Sequence, residues 1–148
     1  MPLKASQLKV GDTHTARLVE DLKRTQIVQY AGASGDYNPL HTDEIYATEV
    51  ADYRGVFAHG MLTMGLTGKA LTNLVGQGRL TTFGVRFVSQ VWPGDTLTAT
   101  TTVTALRREG QRLFADLEVK TSNQDGVAVM TGQATALVEG PPLEALPD

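Results

Sequence analysis

The sequence predicts a single α+β domain in which an antiparallel β-sheet wraps around one long central helix. The length of 148 residues leaves room for one domain with a sizeable core and little room for a second. One segment is apolar nearly all round at helical spacing, and the segments that follow it alternate with period two. Hydrophobic residues make up 41% of the chain and charged residues 20%, which is ordinary globular usage.

The first strand and the first helix are predicted from turn and cap residues. The turn residues around Gly11 precede a short strand predicted over residues 13–22. Thr25 is an N-cap candidate for a helix over residues 26–34, whose apolar residues share one face. Gly35 then ends this helix, as a left-handed residue does at a helix C-terminus.

A second short helix and the long one are predicted in the middle of the chain. Thr42 is an N-cap candidate with two acidic residues in the turn after it, which predicts a helix that reaches about Ala51. After a loop over residues 52–59, the segment Gly60–Val75 is the longest helical candidate. Its apolar residues leave no clear polar face, which predicts a helix buried inside the fold.

The second half of the chain predicts successive strands with short connections. Apolar and polar residues alternate over residues 83–87, 97–105 and 113–119, and a last strand follows a turn and covers residues 127–138. Short connections between successive strands favour an antiparallel sheet. A buried helix with such a sheet around it is the hot-dog arrangement, although a generic α+β sandwich fits the pattern almost as well.

The domain is expected to cover residues 1–139. The tail over residues 140–148 carries three prolines and is expected to be a flexible terminus.

Composition disfavours several classes of function. The formal net charge is -3 and no Lys/Arg cluster stands out, whereas nucleic-acid binding needs a basic field to neutralise phosphates. The absence of cysteine removes disulfides, thiolate metal sites and a cysteine nucleophile. No apolar run reaches the length of a membrane span, and the N-terminus lacks the apolar core of a signal peptide. We therefore expect a cytoplasmic protein that binds neither nucleic acid nor a membrane.

Polar residues concentrate in the segment of residues 34–41, between the two short predicted helices. Asp36 and His41 lie on either side of Pro39, which disfavours helix at the residue before it and lets both side chains turn toward one point. A carboxylate and an imidazole that converge on one water are general acid–base groups. The spacing alone also fits an ordinary Asx turn, in which Asp36 caps the following backbone and His41 enters a helix.

The segment of residues 30–41, with Ala47 beyond it, resembles the hydratase-2 motif of the MaoC-like family. A second block, residues 56–65, resembles the His-Gly-Met/Leu segment at the start of that family's central helix. Residues 83–87 and the turn at residues 93–95 also lie where the family places its next strands. The resemblance covers most of residues 10–138, and the first block is long enough to be specific.

The resemblance implies an (R)-specific enoyl-CoA hydratase on a hot-dog fold, which adds water to trans-2-enoyl-CoA and gives (3R)-3-hydroxyacyl-CoA. It implies a homodimer with no metal and no separate cofactor, because CoA enters only as part of the substrate. By position, Asp36 and His41 resemble the family's catalytic pair. Asn38 resembles the residue that orients them, and the Gly60 N–H resembles the backbone donor to the thioester carbonyl.

Physical reasoning agrees with the role implied for Gly60. Addition of water to an unsaturated thioester places negative charge on the carbonyl oxygen, and a helix N-terminus offers free N–H groups and a positive dipole end. Glycine also lets a thioester approach without a Cβ clash, although the same residue can serve close helix–sheet packing.

Other polar residues are assigned structural or solvated positions. His59 stands beside a helix start, where a histidine more often satisfies local backbone groups. A metal site built from Asp36, His41 and His59 has no recognisable ligand spacing. Arg86 is a candidate for a CoA phosphate, but a lone arginine on a polar strand face is usually just solvated.

Three alternative functions stay open at this point. One is a dehydratase subunit of fatty-acid synthesis that acts on acyl-carrier-protein substrates. Another is an acyl-CoA thioesterase on the same fold, and the third is a non-catalytic acyl-binding partner subunit. The Asp36/His41 pair argues against the non-catalytic subunit, which has no need of it. It argues less strongly against the thioesterase, because hydration and hydrolysis both need an activated water.

Overall fold

The computed structural model describes residues 2–143 and contains one five-stranded antiparallel sheet with a long helix on one face. Short helical turns cover Ala5–Gln7 and Pro39–His41, and a π-helical turn covers Tyr46–Val50. The longer elements are β1 Thr13–Val19, α1 Arg24–Ser34, α2 Gly60–Val75, β2 Leu80–Phe87, β3 Leu97–Glu109, β4 Arg112–Ser122 and β5 Ala128–Glu139.

The sheet has the strand order β1-β3-β4-β5-β2, so β1 and β2 form its two edges. The strands β3, β4 and β5 follow each other through tight turns, whereas β2 pairs with the last strand of the chain. The predicted α+β class and the antiparallel sheet around a long helix are therefore confirmed.

Helix α2 has the predicted bounds, Gly60–Val75. Its buried side faces the sheet and includes Leu71, which is 1% exposed, and Thr67, whose hydroxyl bonds the hydroxyl of Thr121 at 2.8 Å. The expectation of a helix buried all round is wrong for the single chain, because Met61 is 54% exposed. Apolar residues on α2 thus exceed what one sheet covers.

The core divides into two groups of side chains along α2. One group packs around Leu71 and Val75 near the C-terminal end of the helix. The other packs around Leu62 near the N-terminal end and includes Ile27 of α1 and Met130 of β5. The second group anchors α1 beside the start of α2, so the segment after α1 lies next to the N-terminus of the central helix.

The predicted caps of the short helices differ from those of the structure. Helix α1 begins at Arg24 after Lys23, so Thr25 lies inside its first turn, whereas Gly35 ends the helix at φ 73° as predicted. Thr42 does not begin a regular second helix. It ends the turn Pro39–His41, and Asp43 instead accepts the backbone N–H of Tyr46 at 3.0 Å.

The last strand ends at Glu139, and the predicted domain boundary at residue 139 stays a prediction. The carbonyls of Pro141 and Pro142 accept hydrogen bonds from Arg112 at 3.1 and 2.8 Å. Residues 144–148 of the predicted tail lie outside the described residues, and the flexibility of the tail stays a prediction. Among residues 2–143, no helix is long and apolar enough to cross a bilayer.

Candidate active site

The segment between α1 and the turn Pro39–His41 is held by side chains that bond the backbone two residues on. The carboxylate of Asp36 accepts the backbone N–H of Asn38 at 3.2 Å, and the side-chain oxygen of Asn38 accepts the N–H of Leu40 at 3.0 Å. Such Asx turns compensate for the missing helical bonds around Pro39. The Asx-turn interpretation of Asp36 is therefore correct as local structure, and Asp36 remains exposed on the surface.

Asn38 holds both members of the predicted pair through short local bonds. Its backbone N–H donates to Asp36, and its side chain caps the turn that ends at His41. Among the described residues, the side-chain NH₂ of Asn38 forms no hydrogen bond with Asp36, so the contact that orients the carboxylate is the one from the backbone N–H of Asn38.

The imidazole of His41 is fixed by the carbonyl of Phe57. Its Nδ1 lies 2.6 Å from that oxygen, which can only accept, so the proton lies on Nδ1 and the lone pair lies on Nε2. Partial burial lowers the pKa of His41, and the bond to Phe57 and the carboxylate of Asp36 offset this only in part. The neutral form with an accepting Nε2 is therefore favoured near neutral pH.

His59 joins the pair as a third group, which the sequence interpretation left as structural. It is 2% exposed, and its Nε2 lies 3.0 Å from the backbone carbonyl of Asp36, to which it donates. Its ring stacks on that of His41 with centroids 3.8 Å apart and planes 27° apart. The ring of Tyr30 meets its other side at 4.9 Å. One buried ring thus contacts both the backbone of Asp36 and the ring of His41.

The ligand-type atoms of Asp36, His41 and His59 lie within 4.8 Å of one another. A metal ion bound by imidazole lies in the plane of the ring. The planes of two rings stacked 3.8 Å apart at 27° do not meet close to the rings, so one ion cannot lie in both planes at bonding distance. The cluster therefore suits a water and a proton better than a metal ion.

Gly60 is the first residue of α2, where a backbone N–H has no partner within the helix. Among the described residues, no acceptor bonds this N–H. A Cβ at residue 60 would meet the ring of Phe87 at 3.1–3.2 Å, so the space beside Gly60 is filled by an aromatic ring from β2. Close helix–sheet packing, the structural alternative for this glycine, is thus present, and the N–H is still free to donate.

A cavity of about 320 Å³ opens beside Gly60. Its wall is formed by the start of α2, the end of β2 and residues 88–91, and Phe57 borders it. The side chains of Asp36 and His41 do not line it; the link is Phe57, whose carbonyl holds His41. Arg86 lies apart, in a wide depression on β2 that also contains Glu118.

The chain matches known proteins in sequence and in structure. Residues 5–125 match the family model described as MaoC like domain. The chain is 34% identical over 131 residues to an (R)-specific enoyl-CoA hydratase of Rhodospirillum rubrum, which covers 87% of this chain and 88% of that protein. It is also 34% identical over 134 residues to the (R)-specific enoyl-CoA hydratase of Aeromonas caviae, with coverage of 89% and 96%.

The solved structure of the (R)-hydratase from A. caviae involved in PHA biosynthesis superimposes with a TM-score of 0.78 at 29% identity. The superposition covers 89% of this chain and 98% of that one. Since the family model spans most of the chain and the relatives match over nearly their whole length, the chain belongs to the MaoC-like hot-dog family, as the sequence predicted.

Proposed function

We propose that the protein hydrates trans-2-enoyl-CoA to (3R)-3-hydroxyacyl-CoA and catalyses the reverse dehydration. The observation that carries the proposal is the pairing of an exposed Asp36 carboxylate with a His41 imidazole whose Nε2 is free to accept. The activity predicted from the sequence is also the one that the relatives at 34% identity are named for.

The two groups hold one water, with the carboxylate of Asp36 and the Nε2 of His41 as acceptors. Asp36 takes a proton from the water while the oxygen of the water bonds to C3 of the substrate. The electron pair of the double bond moves through Cα onto the carbonyl oxygen of the thioester. The pair then returns a proton to Cα on the same face, so that one water adds across one double bond.

The negative charge that develops on the carbonyl oxygen needs a donor already in place. The N–H of Gly60 is that donor, because it is free and stands at the positive end of the α2 dipole. One fixed donor of this kind is worth roughly 10²–10³ in rate. The ring of Phe87 lies against Gly60 at this end of the site.

His59 and Asn38 position the pair without needing to touch substrate. His59 links the backbone of Asp36 to the ring of His41, and Asn38 links the same two residues along the chain. Two independent links fix the separation of the carboxylate and the imidazole, and proximity of this kind is a large part of general acid–base catalysis. The reaction moves only protons and one electron pair, so a separate cofactor has no step to perform.

The reaction is tested with crotonyl-CoA, a medium-chain enoyl-CoA and a carrier-protein thioester. We expect the enoyl absorbance of the CoA substrates to fall while free thiol stays at background, because water adds at C3 and not at the thioester carbon. The control is a saturated acyl-CoA. Rapid thiol release from that control would identify a thioesterase, and activity confined to the carrier-protein substrate would identify a dehydratase of fatty-acid synthesis.

We also propose a homodimer in the cytoplasm, joined edge to edge through β2. Within residues 2–143 this strand pairs only with β5, so its outer edge has unpaired backbone groups, and it ends at Phe87 beside Gly60. Pairing through β2 would place the interface next to the site. Light scattering at micromolar concentration should show twice the mass of the chain; a fully active monomer would contradict the proposal.

A further inference from the structure

A second cavity, of about 240 Å³, lies next to the cavity beside Gly60. Ser89 and Gln90 line both cavities, so one groove runs from the start of α2 past these two residues. Its far end is formed by Arg54 and Trp92. A ligand held at Gly60 by one end therefore has a path along the surface to Arg54.

The guanidinium of Arg54 lies 4.1 Å above the centre of the Trp92 ring. Stacking on an aromatic face holds an arginine in place and leaves the hydrogen-bond donors at the rim of its plane open. Among the described residues, Arg54 donates to no carboxylate or carbonyl. The same holds for Arg86, whereas the other arginines are bound to such groups: Arg17, Arg24, Arg79, Arg107, Arg108 and Arg112.

The carboxylates of Asp95 and Asp125 line the same cavity, and among the described residues neither forms a hydrogen bond or an ion pair with Arg54. Both carboxylate oxygens of Asp95 are occupied, one by the backbone N–H of Trp92 at 2.9 Å and the other by the amide of Gln124 at 3.0 Å. Asp125 is exposed on the far rim. Arg54 is therefore a positioned cation with free donors, which is the equipment for a phosphate group.

We propose that Arg54, stacked on Trp92, binds the diphosphate of coenzyme A and so selects CoA thioesters over carrier-protein thioesters. This rests on the proposed function, because the thioester carbonyl at Gly60 sets where the rest of CoA must run. The six residues from Arg54 to Gly60 span at most about 20 Å, which an extended pantetheine arm can follow. A carrier protein presents the same arm through a single phosphodiester on a serine and lacks the second phosphate and the adenosine part, so it offers no diphosphate at this position.

The test compares Arg54→Ala with Arg86→Ala, a matched loss of an exposed unpaired arginine outside the groove. Calorimetric titration with CoA itself gives the Kd, and crotonyl-CoA and crotonyl-N-acetylcysteamine give the kinetics. For Arg54→Ala we expect Kd and KM for the CoA compounds to rise about tenfold, with kcat unchanged, because a charge-assisted contact to phosphate is lost. The kcat/KM for the short thioester should not change, and Arg86→Ala should match the wild type throughout.

Three results would overturn the proposal. The first is that Arg54→Ala binds CoA as tightly as the wild type. The second is that its kcat/KM falls as much for the short thioester as for the CoA thioester, and the third is an equal fall in kcat/KM for a carrier-protein thioester. If the wild type hydrates neither thioester but binds CoA more tightly than Arg54→Ala does, the proposed hydratase activity is refuted and the proposed diphosphate site at Arg54 stands. Arg54→Lys keeps the charge without the planar fork, so its Kd for CoA should lie between the wild type and Arg54→Ala.

Discussion

Asp36→Asn and His41→Asn should each lower kcat for crotonyl-CoA hydration by at least about a hundredfold, the lower end of the range for a general acid–base group. Asn at position 36 still accepts the backbone N–H of Asn38 but has no basicity. Asn at position 41 can still donate to the carbonyl of Phe57 but offers no equivalent of Nε2. These variants therefore separate chemistry from local structure.

Controls on folding and binding accompany these measurements. Asp36 is exposed and His41 is half-buried, so thermal unfolding should change little, and KM should change much less than kcat. Because both groups act on one water, the double variant should be far less impaired than the product of the single effects. Near-normal rates in two well-folded single variants would refute the mechanism.

The kcat/KM of the wild type should fall as the pH is lowered, with a midpoint below the ordinary pKa of histidine, since burial lowers the pKa of His41.

Gly60→Pro should lower kcat by roughly 10²–10³-fold, because it removes the one backbone donor assigned to the thioester oxygen. Proline is well tolerated at the first position of a helix, where its missing N–H has no helical partner. The residue before it, His59, already has φ -59° and ψ 134°, which a following proline requires. The substitution therefore removes a hydrogen-bond donor at little cost to the helix.

Gly60→Ala is the matched control for this experiment. Both variants add a Cβ that meets the Phe87 ring at 3.1–3.2 Å and must displace it slightly, but only proline removes the N–H. We expect Gly60→Ala to retain most of the activity that Gly60→Pro loses. Equal losses in the two variants would assign Gly60 to packing against Phe87 and not to catalysis.

The long helix and the strands could be predicted because their patterns are strong and local. Gly60–Val75 has the predicted bounds, β3 and β4 extend the predicted segments by a few residues, and β5 is shifted from its predicted bounds by one residue. The short helix predicted after Thr42 is present only as the π-helical turn Tyr46–Val50, which ends at Ala51, and its start differs because Asp43 and not Thr42 accepts the backbone N–H of Tyr46. Such irregular turns are set by the neighbouring structure, which a capping rule does not see.

His59 could not be assigned from its position in the sequence. It precedes a helix, where a backbone-satisfying histidine is the ordinary case, and its Nε2 does bond a backbone carbonyl. That carbonyl belongs to Asp36, which lies 23 positions earlier in the chain. No local signal reports such a contact; only a buried histidine next to a motif rich in polar residues hints at it.

The sequence by itself determined the class of fold, the family and the identity of Asp36 and His41 as candidates, because periodicity and a contiguous motif are properties of the chain. Only the tertiary structure decided what surrounds them. The ring of His59 against His41, the carbonyl of Phe57 on Nδ1 and the ring of Phe87 over Gly60 all join residues distant in the chain. Such contacts form when the segments before α2 and the strand β2 pack around the start of that helix, so their geometry depends on the packed fold and not on any one segment.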